Sequence, residues 1–227
     1  MPCEVNIAMP DDVKEIKKVL LYLINEVEKV LQKKPFFFVN EHDLSAYLYS
    51  QLLEIQELEL PFIMKRNGFD HSCYRVHLEY PRYSIENKNL KSVGKYGLAI
   101  LRRDNTVEKP FPNDEFTKKP VWVGFEIKLH WNIGENTVGK RLLDEKKAFV
   151  KKDNGFERRP ADYGVVFHLN IAKKKECRFE AIERKIKELQ KEIKRSKVFA
   201  VYMESYIRLK NPRTLAVLPD GTPLSAF

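Results

Sequence analysis

Val121-Trp122-Val123-Gly124-Phe125-Glu126-Ile127-Lys128-Leu129 alternates with a period of two. Such a segment predicts a β-strand with one buried face, because successive side chains on an extended backbone point to opposite sides. Val121, Val123, Phe125, Ile127 and Leu129 take one face; Glu126 and Lys128 take the other, one pleat apart. A strand with a buried side seldom sets a carboxylate beside an ammonium without a use for the pair. One use is a cation site, where the carboxylate holds a divalent metal and the lysine steadies an oxyanion or an attacking water. The other reading is a cross-strand ion pair near a sheet end. Spacing alone does not decide, since Glu-x-Lys also starts at Glu15, Glu86, Glu145, Glu183 and Glu192. Four of those fall in segments with helical periodicity and the one at Glu86 in a polar loop, so only the pair at Glu126 falls on an expected strand.

Length and composition set the frame for that strand. With 227 residues, 43% hydrophobic and 32% charged, the chain suits one globular domain with a full core, or one domain with a small appendage. No apolar run is long enough to span a bilayer and the N-terminus lacks a signal-peptide pattern, so no membrane partner and a cytoplasmic location are expected. Cys3, Cys73 and Cys177 are odd in number and far apart, which argues against a disulfide framework. His71 lies near Cys73, but two ligands do not close a tetrahedral zinc site. Lys and Arg total 41 against 32 acids, a formal net charge of +9. That surplus fits a polyanionic partner, and equally the Lys-rich composition of a thermophile.

Along the chain, Pro10-Asp11-Asp12 signals a helix start. Val13, Ile16, Leu20, Leu23, Val27 and Val30 then recur every three or four residues, widened by Val19, Ile24 and Leu31, which predicts a helix to about Lys34. It either packs on its own domain or supplies a homodimer seam. Pro35 stops it. Asn40 caps a second helix with Leu44, Tyr47, Leu48, Gln51 and Leu52 on its inner side and Glu41 and Asp43 in its first turn, where acids suit the helix dipole. Strands are expected at Tyr74–Tyr80, ending at Pro81, at Tyr96–Arg102, and around Glu126. A polar loop spans Asp104–Lys119. A helix over Asn136–Lys152, a strand over Tyr163–Asn170, a helix over Cys177–Ser196 and a strand over Val198–Glu204 follow. Pro219-Asp220-Gly221 marks a turn. The expected domain plan is 1–35 as an N-terminal helical extension, 36–205 as the core, and 206–227 as a tail. Three consecutive strands suggest an antiparallel meander, and the later strand–helix–strand steps suggest parallel crossovers. The expected class is α/β: a mixed sheet with helices on both faces.

In that order of elements the chain resembles the PD-(D/E)XK nuclease superfamily, over roughly Glu41 to Glu204. Glu41 matches the family's acid on an early helix. Glu126 and Lys128 match its third-strand motif, and Val76-His77-Leu78-Glu79-Tyr80-Pro81 looks like the first core strand of some members. One departure stands out: the second-strand Asp should precede Leu98-Ala99-Ile100-Leu101, and that position is Gly97. Asp104 is too far along to replace it, roughly 23 Å away in extended chain. Glu79, on the neighbouring strand, is a possible substitute.

The resemblance implies a restriction-endonuclease-like fold and a DNA nuclease using Mg²⁺ or Mn²⁺. Glu126 and Glu41 would be metal ligands, with Lys128 orienting water or stabilising charge at phosphorus. The backbone of the DNA would be followed by Arg102, Arg103, His130, Lys140, Arg141, Lys147, Arg158 and Arg159, with Lys146 and Lys173-Lys174-Lys175 adding to the basic set. The alternatives are a nuclease-like domain that binds DNA or a protein partner without cutting, and an oligomerisation module built on the first helix.

Overall fold

The computed structural model describes residues 11–59, 61–66, 69–86, 89–102, 121–131, 157–158, 161–172, 184, 197–206, 212–219 and 222–224. The first helix, α1, spans Asp11–Lys33, with Asp11 and Asp12 in its first turn and Lys33 in its last, as the helix dipole favours. Ile16, Leu20, Leu23, Val27 and Leu31 are buried. Each contributes roughly 1.5–3 kcal/mol by leaving water. They enter the chain's own core rather than a seam for a second copy. The second helix, α2, spans Glu41–Leu53. Its cap is a capping box: Asp43 N–H donates to Asn40 Oδ1 at 3.0 Å, and the Asp43 carboxylate accepts from Asn40 N–H at 3.2 Å. Leu44, Leu48 and Leu52 carry α2 into the same core. A short helix, α3 (Gln56–Glu59), follows.

A hairpin of β1 (Phe62–Arg66) and β2 (Phe69–Cys73) forms a separate two-stranded sheet. The main sheet contains β3 (Val76–Glu86), β4 (Asn89–Leu101), β5 (Val121–Trp131), β6 (Glu157–Arg158), β7 (Tyr163–Ala172), β8 (Val198–Tyr206) and β9 (Arg213–Val217). Their spatial order is β6-β3-β4-β5-β7-β8-β9. β3, β4 and β5 form the expected antiparallel meander; β5, β7 and β8 are mutually parallel; β9 returns antiparallel on β8. The architecture is therefore α/β with a mixed sheet. Residues 206–227, expected as a tail, supply the strand β9. Leu218 N–H donates to Thr222 O at 2.8 Å just after it. The helices expected over Asn136–Lys152 and Cys177–Ser196 lie outside the described residues, apart from helical Arg184.

Period-two alternation sorts the parallel strands into two faces. Val123, Phe125, Ile127 and Leu129 join Val165, Phe167, Leu169, Ile171, Phe199, Val201 and Met203 in the core shared with α1 and α2. The alternate positions Glu126, Lys128 and His130, with His168, Asn170, Tyr202 and Glu204, share the opposite face.

The meander loses its alternation near Glu79, apart from the register shifts at Arg82/Tyr83 and Ile100/Leu101. The β3–β4 register pairs Leu78 with Leu98 and then Tyr80 with Tyr96, leaving Glu79 and Gly97 opposite each other at a break in the ladder. Glu79 has φ 52°, a left-handed conformation that disfavours a residue with a Cβ by about 1–2 kcal/mol. Beyond the break the faces exchange. Leu98 and Ile100 belong to the main core, whereas Tyr80 and Tyr96 join Ala99, Leu101, Val121 and Ala161 in a second cluster. Tyr96 lies over Gly124 so closely that a Cβ there would meet its ring at 2.5 Å.

His77 sits just before this break. Its Nε2 is 2.8 Å from Tyr74 O, with the imidazole donating. Burial pushes its pKa below the ordinary 6.5, outweighing the bond to Tyr74 that acts the other way. The folded state then favours the neutral ring. This contribution is complete above pH 6.5 and is lost as pH falls below it towards the folded value. Urea midpoints measured at successive pH values below 6.5 should therefore fall more steeply for wild type than for His77→Gln. Parallel curves would remove His77 from the acid response.

Candidate functional site

Two segments far apart in sequence meet at the carboxyl end of β5. Lys128 Nζ lies 3.0 Å from Glu41 Oε2. The contact follows from packing. Leu44 and Leu48 anchor α2 against the apolar face beneath β5, so the first residue of α2 overhangs the strand end. A second tie holds the same corner: the Trp131 indole N–H donates to Val39 O at 3.1 Å, and the Trp131 ring stacks on Phe36. The two first-turn acids of α2 thus divide their roles, Asp43 capping the helix and Glu41 meeting Lys128. Both members of the ion pair are partly exposed, 29% for Lys128 and 43% for Glu41. Water screens such a pair, which is worth about 1 kcal/mol or less. Its significance is positional: the helix acid and the strand lysine, brought together by the element order, stand in contact.

Glu126 lies one pleat before Lys128 and is partly exposed. The β4–β5 pairing ends at Leu98 and Phe125, one residue short of Gly97 and Glu126. A Cβ built on Gly97 meets Phe125 O at 3.6 Å and the Ile127 side chain at 3.8 Å, ordinary contacts. A side chain would fit there, and it would start out beside apolar Ile127. Glu79, across the ladder break from Gly97, pairs with Lys95 at 3.6 Å.

These positions test the metal that the family resemblance implies. Mg²⁺ and Mn²⁺ need hard oxygen ligands in a close cluster. Here the Glu41 carboxylate is neutralised by Lys128, β4 offers no acid at Gly97, and Glu79 turns to Lys95. Among the described residues, no group of three or more His, Cys, Asp or Glu side chains could hold a metal ion. The described donors do not fit a ready-made Mg²⁺ or Mn²⁺ centre.

The candidate nucleic-acid contacts disperse. Arg102 is ion-paired with Asp162. His130 is 2% exposed, with Nε2 at 3.2 Å from His168 Nδ1, which makes it an interior residue of the sheet rather than a surface contact. Arg158 belongs to β6, paired opposite Ser84 at the sheet edge. Arg103, Lys140, Arg141, Lys147 and Arg159, with Lys146 and Lys173 to Lys175, lie outside the described residues. Of the other Glu-x-Lys positions, Glu86 closes β3 rather than lying in a loop, and Lys17 on α1 is buried rather than solvated.

Beyond Lys128 the same face continues as a buried polar row that the sequence did not disclose. In the parallel register Lys128, His168 and Tyr202 stand abreast, as do His130, Asn170 and Glu204. Asn170 Nδ2 donates to the Tyr202 hydroxyl at 3.3 Å, and that hydroxyl lies 3.4 Å from Glu204 Oε2. His168, Asn170, Tyr202 and Glu204 are all 0% exposed. They come as two pairs, His168 and Asn170 on β7 and Tyr202 and Glu204 on β8, each two residues apart in an otherwise apolar run; that alternation was the available signal. No protein-family model, curated protein or solved structure matches this chain.

Proposed function

We propose that this chain is a nuclease-like domain of restriction-endonuclease-like topology that binds DNA without cutting it. The observation that carries the proposal is the Glu41–Lys128 ion pair at 3.0 Å. The helix acid and the strand lysine satisfy each other at the place where a cutting enzyme would need a cluster of carboxylates. The meander leading to a Glu-x-Lys strand, followed by a parallel strand, supports the fold relationship. The net charge of +9 supports the polyanionic ligand. Metal-dependent hydrolysis is the second reading, favoured by the retention of Glu126 and Glu41 on either side of Lys128.

Anisotropy with a labelled DNA across a salt series is the test of binding. Affinity should fall, per log unit of salt and for each phosphate neutralised, by about 0.9 log units for duplex and about 0.7 for a single strand. A flat response removes the DNA reading. Supercoiled plasmid with Mg²⁺ or Mn²⁺ should remain uncut. Cutting that Lys128→Ala abolishes would instead establish the hydrolytic reading. Gly97→Asp sharpens the comparison: with its new carboxylate starting beside Ile127, calorimetry should show no gain in Mn²⁺ affinity, whereas a site merely one acid short would gain.

A further inference from the structure

We infer that the aromatic corner beside the Glu41–Lys128 pair stacks unpaired nucleobases, which makes single-stranded DNA the preferred ligand. This deepens the DNA-binding proposal above and depends on it. Phe36 and Trp131 are each 40% exposed and Phe37 is 44% exposed, all at one end of the sheet. Single exposed rings are common on protein surfaces. Here they form a fixed platform. The Phe36 and Trp131 rings are within 12° of parallel with centroids 5.9 Å apart. The indole is held by its bond to Val39 O, and Phe37 leans edge-on against buried Phe38 and against Tyr47. Planes fixed before binding lose little entropy when a base stacks on them.

Charge argues for a nucleotide as the occupant. Lys34 Nζ stands 5.9 Å from the Phe37 ring centroid, and Lys33 beside it is exposed. Cations interleaved with flat rings suit a strand whose phosphates and bases alternate. The acids of the first turn of α2 are already engaged: Asp43 accepts from the Val39 and Asn40 N–H groups, and Glu41 accepts from Lys128. Among the described residues, Phe36, Phe37, Val39 and Trp131 are its exposed apolar members. A duplex keeps its bases stacked on each other and offers none to the rings, so the platform discriminates in favour of unpaired DNA.

The test compares a labelled oligo-dT with a duplex of equal length, by anisotropy on the full chain at one salt concentration. Trp131→Ala and Phe36→Ala should each weaken oligo-dT binding roughly five- to hundredfold, with duplex binding unchanged. Trp131→Phe should retain most of the affinity. Phe36 lies outside the strands, so its variant serves should Trp131→Ala fail to fold. Equal loss for both DNAs, or no loss in the Phe36 variant, overturns the inference while leaving DNA binding standing. Absence of any DNA binding by wild type overturns both. A wild-type dimer in sedimentation that Phe36→Ala converts to monomer would assign the corner to a second copy of the chain and overturn the inference.

Discussion

Gly124→Ala is expected to destabilise the protein by about 3 kcal/mol, at the top of the usual range for overpacking. The added Cβ would lie 2.5 Å from Tyr96 Cε1 and 2.6 Å from Cδ1, separations that real contacts do not reach. The ring has no easy escape. Tyr96 is 3% exposed and its hydroxyl accepts from Ala161 N–H at 2.9 Å. Swinging the ring aside would bury that N–H without a partner, at a further cost of about 1–3 kcal/mol. Backbone movement would disturb β5 two residues before Glu126. Urea unfolding measures the effect, and a double-mutant cycle assigns it. In a Tyr96→Ala background the same Gly124→Ala change should cost less than about 1 kcal/mol, because the obstructing ring is gone. Equal losses in the two backgrounds would show that the glycine answers to something other than Tyr96.

The same pair of residues shows where local sequence stops being informative. The period-two run from Val121 to Leu129 was enough to place β5 and to put Val123, Phe125, Ile127 and Leu129 on the core face. Val121, expected on that face, belongs instead to the second cluster, because β5 is buried on both sides up to Phe125. Asn40 and the acids after it were enough for the start of α2, because capping is a local interaction. By contrast, the exchange of faces at Glu79 and Gly97 depends on Tyr96 finding space over Gly124, a contact across strands that neither segment announces. Pro81 invited an end to β3 because it cannot donate to a ladder. The strand continues because, among the described residues, only β4 pairs at Pro81, and β6 pairs with Ser84 and Ile85. β9 is short and follows a basic stretch, so its pairing with β8 was hidden in the apparent tail. At the site, the element order placed Glu41 with Lys128 but as a metal ligand rather than as the lysine's ion-pair partner, and the His130–His168 and Asn170–Tyr202–Glu204 contacts were not legible. Those require the register between parallel strands, which is set by the crossovers and their packing, and periodicity within one strand carries no record of it.

Charge changes at the ion pair should move DNA affinity in opposite directions, and Lys128→Glu should produce the larger effect. The pair is close to neutral as it stands, with Lys128 Nζ 3.0 Å from Glu41 Oε2. Replacing the lysine with a carboxylate leaves like charges facing each other, with Glu126 one pleat away. A passing phosphate then meets a concentrated negative field. The expected loss is about hundredfold, or roughly 2.7 kcal/mol. The fold should persist, since the partly exposed pair contributes about 1 kcal/mol or less. Glu41→Gln has the reverse consequence. It removes the counter-charge and releases the ammonium to the DNA, so affinity should rise severalfold and the salt slope should steepen by about 0.7 for single-stranded DNA or about 0.9 for duplex. Anisotropy at two salt concentrations reads both signs. A purely structural ion pair predicts something else: both variants would lose stability slightly and neither would alter affinity or slope. Should Glu41→Gln weaken binding, the phosphate path does not pass this corner, and the proposed DNA-binding surface must lie on another part of the molecule.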